Sequence, residues 1–93
     1  MTKRKQLSEK NIALGRIIKQ HRLNLSLEKS SRRHFLDDRV EKGILDINSI
    51  SEKTLTNIEN GNNVPSLETL LYLSHALEVD FDVLLDEIKD YIV

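Results

Sequence analysis

The chain has 93 residues, with 14 Lys and Arg against 15 Asp and Glu, and a formal net charge of −1. That length allows one small domain with its own core, and 39% hydrophobic beside 31% charged residues is the balance of a folded chain rather than a disordered one. The absence of cysteine excludes disulfides and thiolate zinc sites and fits a reducing, cytoplasmic setting, while no apolar run reaches membrane-spanning length and the basic start Met1 to Lys5 leads into no apolar signal core.

The charge is unevenly placed. Residues 1–53 hold 13 of the 14 Lys and Arg against 7 acids, a balance of +6, whereas residues 54–93 hold Lys89 against 8 acids, a balance of −7. Such a dipolar chain can turn a basic face to phosphate; the asymmetry also serves simply to keep a small protein soluble. Residues 1–10 are polar and basic with little to bury, and read as a flexible basic arm ahead of a domain over residues 11–93.

Asn11 to Leu23 reads as the first helix, with Ile12, Leu14, Ile17, Ile18 and His21 on one side and Asn24 as its stop. His21 on that side reads as a half-buried histidine, not a ligand. Arg22 lies at the seam between faces, placed to meet a carboxylate from another helix. A second helix is expected from the N-cap Ser26 through Glu28 to Val40, on a sparse apolar pattern of Leu27, Phe35, Leu36 and Val40. Lys29, Arg32 and Arg33 form a basic cluster that suits a DNA backbone and equally suits a solvated face. Gly43 breaks the helix, and Ile44 to Ile50 reads as an ordered, half-buried connector.

A third helix lies between Ser51, a good N-cap, and Gly61, a good stop. Leu55 and Ile58 point one way, and Glu52, Lys53, Thr56, Asn57 and Asn60 point the other. This polar face carries the groups that meet base edges in a major groove; on its own, the stretch is more simply an ordinary surface helix. Asn62 to Pro65 is a turn by composition. Ser66 starts a fourth, broadly apolar helix carrying Leu67, Leu70, Leu71, Leu73 and Leu77, the expected centre of the core. Glu78 to Asp80 form a corner. A fifth helix from Asp82 carries Leu84, Leu85, Ile88, Tyr91 and Ile92 as a stripe that either pairs with a second copy, making 82–93 a dimerisation helix, or packs back on the first helix. His21, His34 and His75 are scattered, Asp37 and Asp38 form a lone acidic pair, and three glycines make no phosphate loop, so the reading is of a non-enzyme with neither metal nor cofactor.

The ordered string Ile50-Ser51, Ile58-Glu59-Asn60-Gly61, Val64-Pro65-Ser66-Leu67, Leu73-Ser74, Ala76-Leu77-Glu78-Val79 and Leu84-Leu85 resembles the core of the lambda-repressor-like helix-turn-helix family, the Cro/C1-type or XRE regulators. Leu14-Gly15, Ile18 and Arg22 are similar to its first helix. The resemblance runs from residue 12 to 88 and is best after residue 50. It implies an all-α, compact five-helix bundle in which the third helix enters the major groove and the second crosses the backbone. It places base reading on Glu52, Lys53 and Asn57 with Thr56 beside them. Ser51 and Asn60 fall at backbone positions, joined by the cluster of Lys29, Arg32 and Arg33. Glu59 resembles the family's buried acid, paired with Arg22. Lys53 can donate to guanine O6 and N7, and Asn57 can pair with the N6 and N7 edge of adenine. Glu52 can accept from cytosine N4, orient Lys53, or reject wrong bases.

Three departures stand out. Ser26 and Ser51 are 25 positions apart, more than the family pattern holds, so the segment between the second and recognition helices is enlarged. A competing register makes Val40 to Ile47 the second helix proper. Ser30-Ser31 stand where the family usually has Leu-Ala, and Leu27 stands where a Gln often caps the second helix. The resemblance implies a sequence-specific DNA-binding transcriptional regulator, a repressor acting by promoter occupancy on an inverted repeat in double-stranded DNA, with a homodimer as its form; the length leaves no room for a separate sensing domain. The alternative is a protein-binding module, antitoxin-like or a regulator's partner, favoured by the acidic last helix.

Overall fold

The computed structural model describes residues 8–92. Five helices follow one another: α1 (Glu9–Asn24), α2 (Arg32–Glu41), α3 (Glu52–Glu59), α4 (Leu67–Leu77) and α5 (Phe81–Ile88), closed by a 3-10 turn over Lys89–Tyr91, with no strand among the described residues. The all-α class and the helix count agree with the sequence expectation; several boundaries do not.

α1 begins at Glu9, because the Ser8 hydroxyl accepts the amides of Lys10 at 3.2 Å and Asn11 at 3.4 Å. Of the expected arm, residues 9 and 10 therefore belong to the helix, Ser8 caps it, and residues 1–7 lie outside the described residues. The expected start of α2 at Ser26 is not found. Ser26 takes a left-handed φ of 53°, and the cap is Ser31, whose hydroxyl accepts the His34 amide at 3.1 Å. The Arg22 guanidinium donates to the Ser30 carbonyl, which ties the link to α1, and Leu27 packs against the core from that link. Lys29 accordingly stands on the link, not on a helix.

The Val40 to Ile47 register is not found either. α2 stops at Glu41 with Gly43 at φ +75°. The Gly43 amide donates to Val40 O at 3.0 Å and the Ile44 amide to Arg39 O at 2.9 Å, the paired bonds of a helix ended by a left-handed glycine. The extra length of the chain is a non-helical connector, residues 42–51. Leu45 and Ile50 anchor it in the core, but Ile47 is 74% exposed where the sequence suggested half burial. A bond from the Ser49 amide to Asp46 O at 3.1 Å and a left-handed Asn48 shape its tip.

α3 and α4 share a local device. Ser51 caps Thr54 and Ser66 caps Thr69, with amide-to-hydroxyl distances of 3.0 and 3.1 Å. α5 begins at Phe81, one residue before the expected Asp82. Leu14 and Ile18 of α1, Phe35 and Leu36 of α2, Leu55 and Ile58 of α3, Leu70, Leu73, Ala76 and Leu77 of α4, and Leu84 and Ile88 of α5 form one core. α4 is amphipathic rather than apolar all round: Leu67 and Leu71 face solvent. The C-terminal stripe folds back on its own chain, with Leu84 and Ile88 buried, Leu85 and Tyr91 packed against the core, and Ile92 exposed.

Candidate nucleic-acid interface

α3 has its two faces because its apolar residues recur at helical spacing. Leu55, Ile58 and Glu59 are buried on the inner side. Glu52, Lys53 and Asn60 are exposed on the outer side, with Thr56 and Asn57 half-buried between them. All the side chains expected to read bases therefore lie on one surface of one short helix. Gly61, at φ +84°, ends the helix, with its amide on Ile58 O at 3.1 Å and the Asn62 amide on Asn57 O at 2.8 Å.

α3 is held from behind by α1. At Gly15 the two backbones approach so closely that a Cβ there would lie 2.5 Å from the Glu59 carbonyl oxygen and would also strike that of Ile58. The Glu59 side chain is closed off from solvent and takes two arginines: Arg22 Nε donates to Oε2 at 2.6 Å and Nη2 to Oε1 at 2.9 Å, while Arg32 Nε donates to Oε1 at 2.8 Å. Arg22 joins Glu59 as the resemblance implied. Arg32, grouped in the sequence with the backbone-contacting cations, stands in this internal cluster, with Nη2 3.5 Å from Asn60 Oδ1. One buried carboxylate thus fixes α3 to α1 and to the start of α2.

The outer surface has its own pairings. Arg33 of α2 reaches Glu52 Oε1 at 3.2 Å and Asp37 Oδ1 at 3.5 Å. Glu52 therefore faces Arg33 rather than orienting Lys53, and Lys53 makes no ion pair with a described residue. The Ser51 hydroxyl accepts from the Thr54 amide and donates to Thr54 Oγ1 at 2.9 Å, so its single proton is already engaged. Asn57 Oδ1 accepts from Asn62 Nδ2 at 3.4 Å, a weak bond. Lys29 is exposed on the α1–α2 link.

One element of the frame carried no readable sequence signal. Arg39 is 2% exposed and sits among the largest fully buried side chains. It donates to Asp38 at 2.5 and 3.1 Å, to Glu78 Oε2 at 2.7 Å and to Ala76 O at 3.3 Å. Burial alone would weaken its charge, but the hydrogen bonds it donates to Asp38 and Glu78 outweigh this and hold the guanidinium above its ordinary pKa. In turn, the hydrogen bond from Arg39, against some burial, holds the Asp38 carboxyl below the ordinary carboxylate range. Glu78 is left-handed at φ 59° where α4 ends, so Arg39 clamps α2 onto the α4–α5 corner. On the opposite side, His21 Nε2 lies 2.7 Å from Glu87 Oε1 and joins α1 to α5.

Among the described residues, no group of three or more His, Asp or Glu could hold a metal, and no helix is long and apolar enough to cross a membrane. No curated protein and no solved structure matches the chain significantly. Residues 46–84 match a family model described as helix-turn-helix. The match begins within the connector, covers α3, the following turn and α4, and ends at Leu84 in α5; α1 and α2, with their sparse apolar pattern and enlarged spacing, lie before it. Over residues 46–84, somewhat less than half of its length, the chain is therefore similar to a helix-turn-helix family.

Proposed function

We propose that the chain is a sequence-specific DNA-binding repressor that acts in the cytoplasm by occupying a promoter. The observation that carries this reading is the outer face of α3, where Glu52, Lys53, Thr56 and Asn57 share one surface on a helix pinned from behind by Glu59. Lys53, unpaired among described residues, donates to guanine O6 and N7, and Asn57 pairs with the adenine edge. Glu52, neutralised by Arg33, accepts from cytosine N4 and disfavours other bases there. Arg33 and Lys29 hold phosphates beside α3, Asn60 and the Ser51 main chain contribute at its ends, and Arg32 positions the helix through Glu59.

A homodimer on an inverted repeat suits this role, with two copies of α3 about 34 Å apart, one turn of the duplex. Since Leu84 and Ile88 are buried within one chain, the dimer contact rests on the exposed end of the stripe around Ile92. Selection of sites from a random duplex pool tests the proposal. Enrichment of an inverted repeat is the expected result. No enrichment by folded, soluble protein would overturn sequence-specific reading and move the assignment to a protein-binding module.

A further inference from the structure

The enlarged connector does more than join two helices. It stands off α2 and encloses an open groove of about 490 Å³ beside the start of α3. The floor is apolar: Leu36 and Val40 from α2, Ile47 and Ile50 from the connector. Single exposed aliphatic residues are ordinary, but Ile47, 74% exposed, lines the same groove as Leu36, Val40 and Ile50. The rim is acidic. Asp37, Glu41 and Glu52 line it against one cation, Arg33, which Asp37 and Glu52 already share. Glu41 is exposed and makes no ion pair with a described residue.

We infer that this groove docks a cationic segment of a partner protein, carrying at least one aliphatic or aromatic anchor for the floor beside Ile47 and Lys or Arg for Glu41 and Asp37. Charge complementarity selects this occupant. Three of the four charged side chains that line the groove are acids, and the one cation among them is already paired with two of these, which leaves an excess of negative charge for Lys or Arg to meet. The groove is also continuous with the reading surface, because Ser51 and Glu52 belong to both. On the proposed DNA-binding reading, the segment therefore competes with DNA, and its arrival releases the protein from its site. Docking itself does not depend on that reading.

The test is a selection of random dodecapeptides displayed on phage against the full chain, with counter-selection on Ile47→Ser/Glu41→Lys. Both substituted side chains are exposed, so folding should persist, and circular dichroism checks it. The expected result is a consensus of Lys or Arg around an apolar anchor. A synthetic peptide of that consensus should bind the wild-type chain about tenfold more tightly than either single variant, the usual loss when an interface anchor is removed. It should also displace duplex DNA from the wild-type chain. Peptides that bind wild type and double variant alike, an acidic consensus, or no enrichment would each overturn docking. Self-association abolished by Ile47→Ser would assign the groove to a second copy and overturn it too. A protein that takes the peptide but binds no duplex at all would defeat the DNA-reading proposal alone.

Discussion

Glu59 is the residue on which the interface depends most. Two guanidinium groups converge on a carboxylate closed off from solvent, and such a cluster is worth little against a well-packed apolar replacement but a great deal against loss of one member. Glu59→Ala strands Arg22 in the interior and is expected to destabilise the chain by about 3–5 kcal/mol, read as a fall in the urea midpoint at unchanged slope; an unaltered midpoint contradicts the role given to the cluster. Gly15 carries the same dependence in backbone form. Alanine is the better helix former by about 1 kcal/mol, yet its Cβ would meet two carbonyl oxygens of α3, and forced repacking costs about 1–3 kcal/mol or more. Gly15→Ala is therefore expected to lower the thermal midpoint, and a rise would show that α1 can shift away freely.

At the scale of the element, legibility in the sequence follows the range of the forces. α3 was readable because its determinants are local: Ser51 caps it, Gly61 stops it, and its faces follow from spacing within two turns. The start of α2 was not. Ser26 and Ser31 are chemically equivalent caps, and the choice comes from tertiary ties, the Arg22 bond to Ser30 and the packing of Leu27. Arg39 was invisible for the same reason, since arginine is rarely buried and its partners Ala76 and Glu78 lie 37 and 39 positions away. The clamp also makes α2 sensitive to acid. The Asp38 carboxyl is held low in the folded chain by Arg39, so its contribution is present above the unfolded pKa and is lost as pH falls through the folded value. Urea midpoints taken from neutral pH into strong acid should fall more steeply for wild type than for Asp38→Asn; parallel profiles would remove Asp38 from the acid response.

The charge balance of the whole molecule looks different once folded. Of the cations that made residues 1–53 basic, Arg22, Arg32 and Arg39 hold the frame together, and Lys42 pairs with Asp38. The described groups proposed to neutralise phosphate are Lys29 and Arg33, with Lys53 beside them. About two or three phosphate contacts per copy, about four to six in the proposed dimer, imply a log–log slope of affinity against salt of about −4 to −5. Duplex titrations over a range of salt with a chain lacking residues 1–7 should return that slope; one steeper than about −6 would mean that the internal arginines face the backbone after all. The connector explains why the resemblance was strongest after residue 50: the extra length precedes α3 and leaves the spacing from α3 to α5 unaltered, which is the part that the family model matches.

The central claim, that the outer face of α3 reads bases, is tested most directly by repeating the duplex-pool selection with Asn57→Ala beside the wild-type chain. Asn57 is half-buried on the outer side of α3 and outside the Glu59 cluster, so its loss should leave the fold intact. The predicted result is a motif that loses its preference at one base position, and at its mate in the repeat, with a penalty of about 1–3 kcal/mol against the original base. An identical motif selected by both proteins would contradict the assignment of base reading to α3.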